Sequence, residues 1–180
     1  MKKLSLTSLI VSVCVLSAFA ADVPLIVPTP KYMSDGKWDV AVSSAEKPLG
    51  KIVLAKKAAM LQVAAEEINR FILKNGGKAL PITNAVTDGE LDIVLSTDLN
   101  AVGDTNIPAV KRETGQAYAI RFDKGDIRLT GSGDRGALYA AVSFCHMLKN
   151  MDGKVVAYRA SVDDYPDFEH RGDAELGGVM

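Results

Sequence analysis

This chain has too little of several things to support whole classes of function. It holds two cysteines, Cys14 and Cys145, and two histidines, His146 and His170. The histidines stand far apart, without Cys, Asp or Glu partners at metal-ligand spacing, so no metal site is expected and His146 reads as a helix-surface residue. Lysine and arginine number 21 against 22 acidic residues, for a net charge of −1. With no concentrated basic surface, neither nucleic acid nor an anionic membrane is an expected partner. No Asp-Glu dipeptide occurs anywhere in the chain.

Long apolar runs are also scarce, and the one present is N-terminal. Lys2 and Lys3 precede Leu4 to Phe19, a stretch broken by Ser5, Thr7, Ser8, Ser12 and Ser17 and too short to span a bilayer comfortably. Ala18-Phe19-Ala20 places small residues at the alternate positions that signal peptidase requires. Residues 1–20 are therefore expected to be a signal peptide and the product to be exported, periplasmic or extracellular, with no membrane attachment after cleavage. Cys14 follows Val13, where a lipid-modified cysteine would need a small residue. Its removal leaves Cys145 alone, so no internal disulfide can form and stability must rest on the core. Losing Lys2 and Lys3 takes the net charge to −3, and the remainder is long enough for one domain with a real core.

Pro24, Pro28 and Pro30 make the start of that remainder a stiff, extended lead. Trp38 to Val42 alternates as a half-buried strand, and Lys51 to Ala55 is a second candidate. From Lys57 to Leu73, Met60, Leu61, Ala64, Ala65, Ile68, Phe71 and Ile72 recur at helical spacing, and Asn75-Gly76-Gly77 supplies the stop. Leu80 to Ile82 and Leu91 to Leu95 read as strands around a polar turn, and a loop runs from Ser96 to about Thr114. Tyr118, Ile120 and Phe122, then Ile127 and Leu129, predict an antiparallel hairpin through Lys124-Gly125. A second helix is expected from Asp134 to Asn150, with Leu138, Ala141, Val142, Cys145 and Leu148 on its inner face, and a last strand from Val155 to Tyr158. The pattern predicts an α+β fold: a two-layer sandwich of a mainly antiparallel or mixed sheet with two helices on one face.

Gly131-Ser132-Gly133-Asp134-Arg135-Gly136 fits a dinucleotide-binding pattern, but the strand before it belongs to a hairpin and no ribose-holding acid ends the strand after the helix. The segment is read instead as a tight turn with Asp134 capping the helix, and no cofactor is expected. Asp163, Asp164 and Asp167 lack the glycine-turned loop of a calcium site and read as a solvated linker. Glu66, Glu67 and Arg70 read as a surface pairing on the first helix, and Cys145 as core.

Several of these segments together resemble family 20 glycoside hydrolases, the β-N-acetylhexosaminidases, in which a small N-terminal α/β domain precedes a catalytic (β/α)8 barrel. Asp164, Pro166, Phe168, Arg171 and Gly172 match the Asp-x-Pro-x-Phe-x-x-Arg-Gly junction of that family. The proline lead resembles its opening. Ile127-Arg128-Leu129-Thr130-Gly131, followed by Gly136 and Tyr139, is similar to its strand-to-helix step. Beyond Gly172, Asp173 to Gly178 departs from the longer apolar strand the family usually continues with.

The resemblance implies residues 21–162 as the N-terminal-like domain, and 163–180 as a linker and the start of a truncated barrel. It implies an amino-sugar glycan as partner, through a barrel missing from this chain. In that family the sugar's own 2-acetamido oxygen is the nucleophile, and an Asp-Glu pair orients it and protonates the leaving group. That pair is absent here, so no catalytic residue is expected. Arg171 is the position matching an arginine that donates to hydroxyls of the terminal sugar. The alternatives left open are a free-standing carbohydrate-associated or partner-binding module, or the same domain from another glycosidase such as an α-glucuronidase-like enzyme.

Overall fold

The structure is a computed structural model and describes residues 22–86, 91–123 and 125–167. Among these, two sheets and two long helices share one core. The larger sheet orders its strands β1 (Tyr32–Met33), β10 (Val162–Asp164), β6 (Tyr118–Phe122), β7 (Asp126–Gly131), β5 (Leu91–Ser96), β3 (Gly50–Leu54) and β4 (Ile82–Thr83). The smaller sheet is antiparallel, in the order β2 (Lys37–Ser44), β9 (Lys154–Arg159), β8 (Leu148–Met151). The large sheet is mixed. Pairings from β1 to β7 are antiparallel, whereas β7–β5, β5–β3 and β3–β4 are parallel. Both of its edge strands are two residues long, which limits the row of backbone groups open to edge-on association.

Helices α1 (Ala59–Lys74) and α3 (Asp134–His146) run side by side in the same direction. Lys56 Nζ meets Asp134 Oδ1 at 2.9 Å where both begin, and Asn150 Nδ2 donates to the Asn75 carbonyl at 2.7 Å just past their ends. Small residues, Ala64 and Ala65 on one and Ala137, Ala140 and Ala141 on the other, leave room for close approach. Against them the large sheet presents Ile52, Leu54, Ile93, Leu95, Ile120, Ile127 and Leu129, all buried. Period-two alternation supplies this apolar face. The opposite face is partly covered by the connection between β5 and β6. This carries a short 3₁₀ turn (Leu99–Val102) and the single-turn α2 (Ala109–Arg112), and its Leu99 and Ile107 close over Ala117 and Ala119.

The α+β architecture is as the pattern predicts, and α1 ends as expected, with Gly76 at φ +80°. Three expectations need correction. The second helix stops at His146, because β8 begins at Leu148 and turns through Asp152 (φ 50°) and Gly153 (φ 78°) into β9. Its inner face is Ala137, Ala140, Ala141, Phe144 and Cys145, which leaves Leu138 partly buried and Val142 at the surface. Asp134 is not its cap: Gly133 holds that position and the Asp134 carboxylate goes to Lys56. β4 and β5 flank β3, each pairing with it in parallel from opposite sides.

Candidate functional site

The junction residues Asp163 to Asp167, expected on a solvated linker, are instead held on four sides. β10 lies between β1 and β6, with Asp163 opposite Tyr32 and Ala119. Asp163 is wholly buried. Arg121 of β6 donates from Nη2 to its Oδ1 at 2.6 Å, and the Asn106 backbone N–H and Nδ2 donate to Oδ2 at 2.8 and 3.0 Å. Arg121 Nη1 also reaches the Ile120 and Val162 carbonyls, each at 2.9 Å, and Nη2 the Asp104 carbonyl at 3.1 Å. A buried carboxylate is tolerable when paired and hydrogen-bonded in this way. Farther on, Lys111 Nζ donates to the carbonyls of Pro166 and Asp167, and Lys31 Nζ to the Asp167 carboxylate at 2.5 Å. Arg121 was legible as an outward-facing strand residue, but its partner lies 42 positions away and no local signal joins them.

Beside this exit lies a hollow of about 140 Å³. One wall is the outer stripe of α3, Tyr139 and Val142 with Ser143. The others come from Val27 and Pro28 of the lead, from Gln116 and Tyr118, and from Asp164, Tyr165 and Pro166. Tyr118 and Ser143 share a buried hydrogen bond between hydroxyls at 2.6 Å. Burial pushes the Tyr118 phenol well above its usual range, the Ser143 contact opposing. Burial likewise raises the Asp164 carboxyl above its ordinary value, against hydrogen bonds from the Lys31 and Tyr165 backbone and from Tyr118. The lead is held there by the Val27 N–H, which donates to His146 Nδ1 at 3.3 Å. Among the described residues, Asp164 is the carboxylate that lines this hollow.

The glycine-rich step after β7 has a packing role. The Ser132 N–H donates to the Ala117 carbonyl at 2.8 Å and the Gly136 N–H to the Gly115 carbonyl at 3.0 Å, so backbone of the segment leading into β6 already lies against the start of α3. A Cβ on Gly136 would lie 2.3 Å from the Ala117 oxygen, and one on Gly131 2.0 Å from the Ala137 nitrogen. The glycines let two backbones touch. β7 does pair in parallel with β5 on its other side, a context the hairpin reading had not included. Elsewhere, Glu67 and Arg70 form the expected i,i+3 pair. Cys145 is buried between the helices, and that burial pushes its thiol up to about 12. Arg171, the one predicted substrate-binding residue, lies outside the described residues.

A mixed sheet backed by two parallel helices, its last strand delivering the chain from a pinned junction, defines a class of small α/β domain. The family described as "Glycosyl hydrolase family 20, domain 2" matches residues 23–165. The chain belongs to that family. No curated protein sequence matches it. Among solved structures, it superposes on a protein designated CpGH84D with a TM-score of 0.60 at 16% identity, over 84% of this chain and 25% of that one. The GH20 exo β-N-acetylglucosaminidase of Vibrio harveyi gives 0.54 at 13% identity, over 81% and 19%. The chitobiase of Flavobacterium johnsoniae gives 0.53 at 15% identity, over 82% and 21%. At such identities the likeness is one of fold, and the chain spans about a quarter or less of the length of these proteins.

Proposed function

We propose that this chain is the accessory α/β domain of an exported glycoside hydrolase acting on terminal β-linked N-acetylhexosamine, and that it is not catalytic by itself. The family match across residues 23–165 carries the reading. The fold shared with an exo β-N-acetylglucosaminidase and a chitobiase supports the amino-sugar class. The absence of an Asp-Glu dipeptide supports a non-catalytic role, and the basic, apolar start ending in Ala18-Phe19-Ala20 supports export. In this reading Arg171 holds two vicinal hydroxyls of the terminal sugar within a longer parent, a task for a planar fork of donors rather than a lysine point charge.

The test is made on both forms. The 180-residue chain should release no nitrophenol from nitrophenyl N-acetylglucosaminide above the buffer rate. In a parent carrying a following barrel, Arg171→Lys should lower kcat/KM by about tenfold or more, roughly 1.4 kcal/mol of transition-state binding, at unchanged Tm. Turnover by the chain alone, or unaltered kinetics in the variant, would overturn the corresponding part.

A further inference from the structure

We propose that the hollow between the proline lead and α3 binds one uncharged pyranose residue of a saccharide. A pyranose asks for two unlike surfaces at once, since its C–H face is apolar and faintly positive while its rim carries hydroxyl donors and acceptors. Tyrosine rings, with their negative π faces, suit the first, and fixed carboxylate and hydroxyl groups suit the second. The hollow brings both together. Tyr139 of α3 and Tyr165 of the exit line it, and Val27 and Val142 extend its apolar wall. These groups are left in water: Val27 is 61% exposed, Tyr139 39% and Val142 36%. Singly exposed apolar residues need no explanation, whereas a cluster around a concavity marks a binding surface.

The polar side is held in place. Asp164 Oδ1 accepts the Lys31 N–H at 3.2 Å, and the Tyr165 N–H and the Tyr118 hydroxyl also bond to its carboxylate. A carboxylate offers about four acceptor positions, so capacity for a sugar hydroxyl remains. Groups fixed in this way orient a ligand, and the apolar groups around them supply contact area. An apolar ring of the same size would instead bury the Asp164 carboxylate against carbon, at a desolvation cost. Charge narrows the class further. A uronic acid would set its own carboxylate against Asp164, and an amine would meet Lys31 and Lys111, whose Nζ atoms lie 5.9 and 6.0 Å from the centroid of the Tyr165 ring. Size agrees as well. At about 140 Å³ the hollow is close to the roughly 150 Å³ cavity that holds a benzene ring, so it takes one six-membered ring. The exposed residues at its rim leave the outer hydroxyls, or the next sugar of a chain, in water. No part of this depends on Arg171 or on a following barrel.

The test is nuclear magnetic resonance on the full 180-residue chain with labelled methyl groups, titrated at pH 8 with methyl β-glucoside, methyl β-N-acetylglucosaminide and methyl β-glucuronide. The two neutral sugars should shift the Val27 and Val142 methyl resonances saturably, with Kd on the order of millimolar, as expected for a ligand of about 15 non-hydrogen atoms. Val63, 50% exposed on α1 and outside the hollow, should not respond. Tyr139→Ala should weaken binding by about tenfold, and Tyr139→Phe, which keeps the ring, by no more than about twofold. Unmoved Ile93 and Leu129 resonances in both variants would show the core intact. The nitrophenol and Arg171→Lys assays can fail while this site binds, and the reverse, so the two readings are tested separately. No saturable shift with either neutral sugar, an equal response to the glucuronide, or Tyr139→Phe binding as weakly as Tyr139→Ala would overturn the proposal.

Discussion

Asp164 shows how one carboxyl can carry the pH response of the junction. Its neighbour Asp163 spends its charge on Arg121 and Asn106 in a wholly buried network. Asp164 is half-buried in the wall of the hollow and compensated by weaker donors, the Lys31 and Tyr165 backbone and Tyr118, so desolvation raises its pKa above the ordinary 3.8. The folded state then binds this proton more tightly than the unfolded state does. The favourable contribution is fully present below 3.8 and is lost as pH rises through the raised value. Asp164→Asn keeps an oxygen for the Lys31 N–H without the charge. Its Tm relative to the parent should therefore rise between about pH 4 and the raised value and then level off. A difference in Tm that stays constant from pH 3 to 7 would refute this.

Among elements, the strand-to-helix step from β7 to α3 is the tightest joint. A Cβ on Gly136 meets the Ala117 backbone oxygen, and a carbonyl in a sheet-side segment cannot swing aside as a flexible side-chain end can. Gly136→Ala should therefore destabilise by about 3 kcal/mol, the upper end of overpacking costs, measured by urea denaturation. A loss under about 0.5 kcal/mol would mean that the helix start slides freely. Much of this level was legible. The spacing of Leu61, Ala64, Ala65, Ile68 and Ile72 is the buried face of α1, and the alternation at Tyr118 to Leu129 is the β6–β7 hairpin. The end of α3 was misread although a signal stood in the chain: Asp152-Gly153 is a two-residue hairpin turn with both residues at positive φ. Apolar Leu148 also fits the helical period, and that spacing concealed the change from helix to strand.

For the whole molecule, both sheets and both helices contribute to one core, from Val42 and Val155 on the small sheet to Ile93 and Ile127 on the large one. Such a core should unfold as a unit. Cys145 reports on it, since its thiol is buried against the Glu67 carbonyl at 3.9 Å and pushed up to about 12, where little thiolate exists at pH 8. Modification of Cys145, followed by peptide mass mapping, should therefore track the loss of circular dichroism across a urea titration. Alkylation at low urea ahead of that transition would show that the two helices part before the sheet unfolds.

The sequence by itself determined what is local and periodic: the two long helices, the major strands, the glycine stop after α1, the α+β class and the junction pattern ending at Arg171-Gly172. Hydrophobic spacing and turn chemistry act over a few residues and are readable there. Beyond the β6–β7 hairpin, tertiary structure alone decided which strands lie beside which, including the parallel run β7–β5–β3–β4, and what the junction aspartates do. Asp163 looks solvent-facing in a run of acids, and becomes buried because Arg121 and Asn106 arrive from positions 42 and 57 residues away. The hollow beside it forms from the lead, β6, α3 and the exit strand, segments spread from Val27 to Pro166. Contacts of that range depend on how the chain closes, and no local pattern encodes them.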